Sequence, residues 1–171
     1  MSAGSELSRL LVVEPLADGG LDFDLTATPA ECSALARRFD LVALDGLAAR
    51  GSVEPGALPR SIVVAGRLVA EVSQTCVATL EPVPEHIDAE FRRVFTLDGE
   101  DAGDEIEIDP LDDPPEPLVG PALDIGEIVA EELSLSLDPY PRAPGAEGLP
   151  LAGAGQGGEH PFAALARRRG H

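Results

Sequence analysis

Apolar and polar residues alternate along two long stretches of the chain, a spacing typical of strands that bury one face. The stretches are SIVVAGRLVAEVS, residues 61–73, and IDAEFRRVFTL, residues 87–97. A short apolar run at residues 76–80 lies between them and predicts a third strand. Together they predict an antiparallel meander with a charged outer face. Pro82 would end the middle strand, since proline cannot donate to the ladder.

Three shorter runs predict further strands earlier in the chain. They cover residues 9–16, 21–26 and 41–50. The Asp-Gly-Gly sequence at residues 18–20 is a favoured hairpin turn, so it predicts direct pairing of the first two of these strands.

The period changes from two to about 3.6 in two places, which predicts helices at residues 29–39 and 125–135. Thr28 precedes the first helix, and the glutamate three positions later, Glu31, completes a capping box. Asp124 and Glu127 stand in the same relation at the start of the second helix.

These elements predict an α+β fold, in which an antiparallel β-rich sheet curls toward a barrel or sandwich and carries two main helices. A disordered C-terminal linker would follow. The expected core positions are Leu35, Phe39, Ile62, Val64, Leu68, Val72, Phe91, Phe95, Ile128, Val129 and Leu133.

Composition divides the chain into one domain and a tail. Residues 1–138 form the expected domain, and within it residues 98–121 are rich in Asp, Glu, Gly and Pro and predict an acidic loop around one short strand. Residues 139–158 are rich in proline and glycine and predict a flexible linker. Residues 159–171 then form a short basic C-terminal segment.

Charge is the strongest compositional signal. The formal net charge is −19, from 31 acidic and 12 basic residues. Such a surface repels phosphate backbones as a whole, which argues against a large nucleic-acid interface and favours a basic partner. Solubility alone is an equally ordinary reason for acidity. No long apolar run or basic leader is present, so we expect a cytoplasmic protein without a membrane partner.

Candidate binding residues come from two regions. The C-terminal segment holds an apolar anchor, Phe162, followed by three consecutive arginines at 167–169 that can pair with phosphate or carboxylate. The acidic half of the chain contributes Glu131 and Glu132 on the second helix. The remaining basic candidates are Arg92 and Arg93. The full set is Phe162, Arg167, Arg168, Arg169, Glu131, Glu132, Arg92 and Arg93.

Catalytic and metal-binding patterns are sparse. Cys32 and Cys76 are far apart in the sequence and have no paired spacing, so we expect no metal, no cofactor and no enzymatic activity. Cys32 falls on the apolar stripe of the first helix and is expected to be buried. A pairing of Cys76 with His86 across a hairpin is the remaining enzymatic alternative.

Three blocks in order resemble the YceD-like family, the bacterial large ribosomal RNA subunit accumulation proteins. They are GRLVAEVSQTCVATLEPV from residue 66, LDIGEIVAEELSLSLDPYPRAPG from residue 123, and the terminal HPFAALARRR. The resemblance implies a non-enzymatic factor in large-subunit (50S) ribosome biogenesis that supports accumulation of 23S ribosomal RNA. The implied partner is a basic large-subunit ribosomal protein or a pre-50S particle, bound through the acidic surface.

The resemblance also bears on Cys76. Many relatives have a pair of cysteines at this place and another in the segment after the last helix, whereas this chain has Ser73 and Gln74 before Cys76 and PYPRAPG in the later segment. We therefore expect Cys76 to be a packed strand residue. Two other functions stay open: direct binding of 23S ribosomal RNA through the C-terminal arginines, and a small Cys/His enzyme.

Overall fold

The computed structural model describes residues 5–13, 19–58, 60–97 and 115–146. Two helices and seven strands occur within these ranges. In chain order they are β1 (Leu10–Val12), β2 (Leu21–Thr26), α1 (Pro29–Arg38), β3 (Ala43–Pro55), β4 (Ser61–Thr75), β5 (Pro82–Thr96), β6 (Glu116–Pro117), β7 (Ala122–Asp124) and α2 (Ile125–Ser136).

The main sheet has the strand order β2-β3-β4-β5-β6. All its pairings are antiparallel except that of β5 with the short β6. This confirms the α+β class. The expected closure toward a barrel is wrong, because β2 and β6 lie at opposite edges and do not pair with each other in the described chain. The helices cover one face of the sheet, so its apolar side chains are buried without closure.

The expected hairpin between the first two strands is also wrong. β1 pairs antiparallel with β7, whereas β2 pairs with β3. The N-terminal segment is held beside the start of α2, where the Ile125 N–H donates to the Arg9 carbonyl over 3.0 Å. A Cβ on Gly126 would lie 2.5 Å from the Leu7 carbonyl oxygen, so glycine permits this close approach.

Residues 76–80 form a turn rather than the expected strand. The Cys76 N–H donates to the Glu81 carbonyl and the Leu80 N–H donates to the Cys76 carbonyl, which joins β4 directly to β5. Pro82 therefore begins a strand instead of ending one. In the described chain β5 pairs on its outer side only at Phe95 and Thr96, so its first half lies at an edge of the sheet, where proline is tolerated.

Both helices begin at the predicted residues. Thr28 Oγ1 accepts from the Glu31 N–H over 3.3 Å, and Glu31 Oε2 accepts from the Thr28 N–H over 2.7 Å. Asp124 caps α2 by accepting from the N–H groups of Gly126 and Glu127, but the Glu127 side chain bonds Ser5 and Arg38 and so does not complete the expected capping box. The hydrogen bond from Arg9, with that from the Thr28 backbone, lowers the pKa of Glu31 to about 2. Charge and capping thus fix both helix starts.

The core lies between the helices and the covered face of the main sheet. Ten of the eleven expected core residues are buried, and Phe39 is half-buried against the same cluster. The covered face also contains one row across four strands, Phe23–Gly51–Gly66–Phe91. The phenylalanine rings lie over the glycines, since a Cβ on either glycine would come within 3.1 Å of the Phe23 ring.

The folded body continues past the boundary that the sequence predicts. Pro141 and Ala146 are buried, and the Pro141 carbonyl accepts from the Val77 N–H over 2.9 Å. The expected linker therefore cannot begin at residue 139, because residues 138–146 pack on the β4–β5 turn. Its remaining part, the terminal basic segment and residues 98–114 of the expected acidic loop lie outside the described residues.

Candidate functional site

One arginine gathers three carboxylates at the edge of the sheet beside α2. Arg93 Nε donates to Glu116 Oε1 over 2.8 Å, and its Nη1 donates to Glu131 Oε2. Glu132 Oε1 lies 3.9 Å from Arg93 Nε. The guanidinium also lies over the Phe95 ring, 5.5 Å from its centroid. We call Arg93, Glu116, Glu131 and Glu132 the α2 acidic cluster.

The cluster is built from three elements. Arg93 is on β5, Glu116 is on β6, and Glu131 and Glu132 are on α2. The Arg93 side chain is 18% exposed, whereas those of Glu116 and Glu131 are 45% and 43% exposed. The cation is thus largely enclosed, and two of its carboxylates face outward.

The electrostatics of the cluster leave an excess of negative charge. Burial opposes the charge of Arg93, but its hydrogen bonds with Glu116 and Glu131 dominate and the pKa of Arg93 is raised. Burial raises the pKa of Glu132, and the neighbouring carboxylates of Glu131 and Glu116 add to that shift. Three carboxylates share one guanidinium, so a further cation at this surface would relieve their repulsion.

A second candidate surface is formed where the β4–β5 turn meets the segment after α2. Cys76 Sγ accepts from the Thr79 N–H and from the Ala143 N–H, each over 3.3 Å. Gln74 Nε2 donates to the Asp138 carbonyl over 3.0 Å. These bonds join two regions that are distant in the sequence.

The thiol in this junction is unusual for a buried cysteine. The hydrogen bonds from Thr79 and the Ala143 N–H lower the pKa of Cys76 to about 6, although burial acts in the opposite direction. Cys76 has no exposed surface, so the expectation that it is packed is confirmed, but it lies in a turn. Cys32 is also buried, as expected, and burial raises its pKa.

Exposed apolar side chains surround the junction. Leu80 is 76% exposed at φ 64°, and Tyr140 is 72% exposed. Val77 is also exposed. A leucine in the left-handed region is uncommon, because its Cβ crowds the backbone there. The turn therefore holds a strained, exposed leucine, and the chain's single tyrosine is exposed in the segment after α2 that packs on this turn.

The proposed pairing of Cys76 with His86 is wrong. His86 lies opposite Glu71 in the β4–β5 register, and its Nδ1 is 2.6 Å from Glu71 Oε1. Cys76 follows the end of β4, five residues beyond Glu71, which is about 16 Å further along at the usual rise of about 3.3 Å per residue. That separation is beyond hydrogen-bond reach.

The other predicted site residues fall in different places. Glu131, Glu132 and Arg93 come together in the α2 acidic cluster. Arg92 lies on the opposite face of β5 and does not join them, because successive side chains of a strand alternate. Phe162 and the arginines at 167–169 lie outside the described residues.

The sequence did not identify Glu116 as a site residue. It lies in the acidic stretch at residues 98–121, where carboxylates are so frequent that no single one stands out as a candidate. The sequence also did not identify the contact of Cys76 with Ala143. The only signal for that contact was that both segments carried the family resemblance.

Two negative observations apply to the described part of the chain. No three His, Cys, Asp or Glu side chains there come together as metal ligands would. Neither helix in those ranges has the length and apolar character needed to cross a membrane.

Residues 64–167 match the family described as "Large ribosomal RNA subunit accumulation protein YceD". The chain belongs to the YceD family. The match covers β4 from residue 64 onward, β5, α2 and the segment after it, so both candidate surfaces lie within the family region. No curated protein matches the chain significantly. No solved structure does so either.

Proposed function

We propose that this chain supports accumulation of large-subunit ribosomal RNA as a non-enzymatic cytoplasmic assembly factor. In this proposal it binds a basic large-subunit ribosomal protein, free or within a pre-50S particle, through the α2 acidic cluster. Family membership gives the process, and the arrangement of the cluster suggests the mode of binding.

The observation that carries the proposal is the sharing of one enclosed arginine by three carboxylates. Arg93 orders the glutamates but cannot neutralise them, so Glu116 and Glu131 present charge to solvent in fixed positions. Fixed carboxylates bind an incoming lysine or arginine with a smaller loss of side-chain entropy than mobile ones. Ribosomal proteins that bind RNA are rich in such cations.

The surroundings of the cluster favour the same class of partner. The sequence has no basic residue between Arg93 and Arg142, which includes all of α2. Elsewhere in the described chain, Arg9 and Arg38 are paired with carboxylates of their own. A negative surface of this kind speeds association with basic proteins and repels bare RNA.

The test is recovery of partners by the tagged full-length protein from cell lysate at low and high salt, with and without ribonuclease. We expect large-subunit ribosomal proteins at low salt, their loss at high salt, and retention of at least one of them after ribonuclease. Recovery of no ribosomal protein under any condition would refute the proposal. Complete loss on ribonuclease treatment would show that RNA, and not protein, is the direct partner.

A further inference from the structure

Three arginines converge on the solvent-facing side of the main sheet, opposite the helices. Arg50 on β3 and Arg67 on β4 are direct partners in the register, and Arg92 on β5 lies opposite Ala65, two residues from Arg67. All three are exposed. They line one shallow depression of about 510 Å³ together with Ala65, Gly66, Glu90 and Phe91. We call this the arginine depression.

The placement is electrostatically costly for an isolated sheet. Like charges directly opposite each other on neighbouring strands destabilise the pair. Arg67 is compensated by Asp88, which its Nε and Nη2 both contact. Within the described ranges, neither Arg50 nor Arg92 makes an ion pair, although carboxylates outnumber arginines there by two to one.

We infer that the arginine depression binds the phosphate backbone of single-stranded RNA. Guanidinium groups match phosphate oxygens with two parallel hydrogen bonds, and Arg50 and Arg92, which make no ion pair within the described ranges, can hold neighbouring phosphates. The inference goes beyond the proposed function, because it concerns a different ligand on the other face of the sheet.

The depression favours phosphate contacts without base recognition. The described phenylalanines lie off this face: Phe23, Phe91 and Phe95 point to the covered side, and Phe39 ends α1. None of these four phenylalanine rings is therefore placed to stack a base at the depression, and backbone contacts alone carry no sequence information. Asp24 and Glu90 lie opposite Arg50 and Arg67 in the register, so carboxylates border the arginine pair on both sides and restrict the length of backbone that it can contact.

The experiment measures binding of a fluorescein-labelled 20-nucleotide single-stranded RNA by anisotropy over a range of salt concentrations. The full-length protein is compared with the double variant Arg50→Gln/Arg92→Gln. The matched control is Arg37→Gln/Arg142→Gln, which removes the same charge from exposed arginines outside the depression. Thermal melting of each protein confirms that it is folded.

We expect the Arg50→Gln/Arg92→Gln variant to bind RNA at least about tenfold more weakly than the control at low salt. The slope of log affinity against log salt should fall by about 1.4, because two phosphate contacts are lost at about 0.7 each. A uridine-rich and an adenine-rich strand should bind alike.

Three outcomes would overturn the inference. The first is no measurable RNA binding by the unmodified protein at low salt. The second is an equal loss of binding in the control variant, which would show that only bulk charge matters. The third is displacement of the RNA by a poly-glutamate 20-mer at equal concentration, which would show that the depression receives acidic peptides instead. Because purified RNA is the probe, none of these outcomes bears on binding of a ribosomal protein.

Discussion

Cys76 is buried, yet the pKa of its thiol lies well below that of an ordinary cysteine. Two backbone N–H groups point at its sulfur, one from the turn and one from the segment after α2. Hydrogen bonds to the charged form favour it, so the thiolate is stabilised in spite of burial. The same two hydrogen bonds join the turn to the segment after α2.

This arrangement predicts a pH dependence. The pKa of Cys76 falls from 9.0 to about 6 on folding, so between these values the unfolded chain binds a proton that the native chain lacks. The contribution to stability therefore rises from about pH 6 to pH 9 and is lost as pH falls through about 6. Thiolate absorbance should show a midpoint near pH 6 that Cys76→Ser removes and Cys32→Ser retains. A midpoint at or above pH 8.5 in the unmodified protein would contradict this account.

At the scale of elements, the β3–β4–β5 sheet depends on close approach of two glycines. Gly51 and Gly66 are register partners, and a Cβ on Gly51 would lie 2.1 Å from the Ala65 carbonyl oxygen. The rings of Phe23 and Phe91 fill the space above the pair. The close approach of the two glycine backbones and the phenylalanine rings packed over them together fix the register of the four strands.

Gly51→Ala should therefore destabilise the protein by about 1–3 kcal/mol, the usual cost of overpacking. Gly46→Ala is the matched control in the same strand, since a Cβ there meets nothing within 4 Å. Equilibrium unfolding in urea measures both. Equal stability of the two variants would mean that the sheet relaxes around the added methyl group.

These elements also show how far the sequence could predict the structure. Helix caps and alternation are local signals, so they gave the starts of α1 and α2 and the presence of two long strands, although β5 begins at Pro82, five residues before the predicted run. The pairing of β1 with β7 and the return of residues 138–146 to the turn are contacts between distant segments. No local pattern encodes them. The α2 acidic cluster was found only in part, because Glu116 is brought to Arg93 by the β5–β6 pairing.

At the scale of the whole molecule, the two proposed surfaces lie on opposite sides of the main sheet. Arg92 and Arg93 are neighbours in β5. Because successive side chains of a strand point to opposite faces, Arg92 lies in the arginine depression and Arg93 lies in the α2 acidic cluster. A net charge of −19 disfavours extended RNA contact, so RNA binding at the small arginine depression is weak by itself and is strengthened when the acidic face holds its own partner.

The central claim is that the α2 acidic cluster, and not bulk charge, binds a basic large-subunit component. The most direct measurement is quantitative recovery of ribosomal proteins by Glu131→Gln/Glu132→Gln and by Asp22→Asn/Asp24→Asn, which remove equal charge from α2 and from β2. Melting of both variants checks folding, because Glu131 also pairs with Arg93. We expect the α2 variant to lose most of the recovered protein and the β2 variant to retain it. Equal recovery by the two folded variants would contradict the claim.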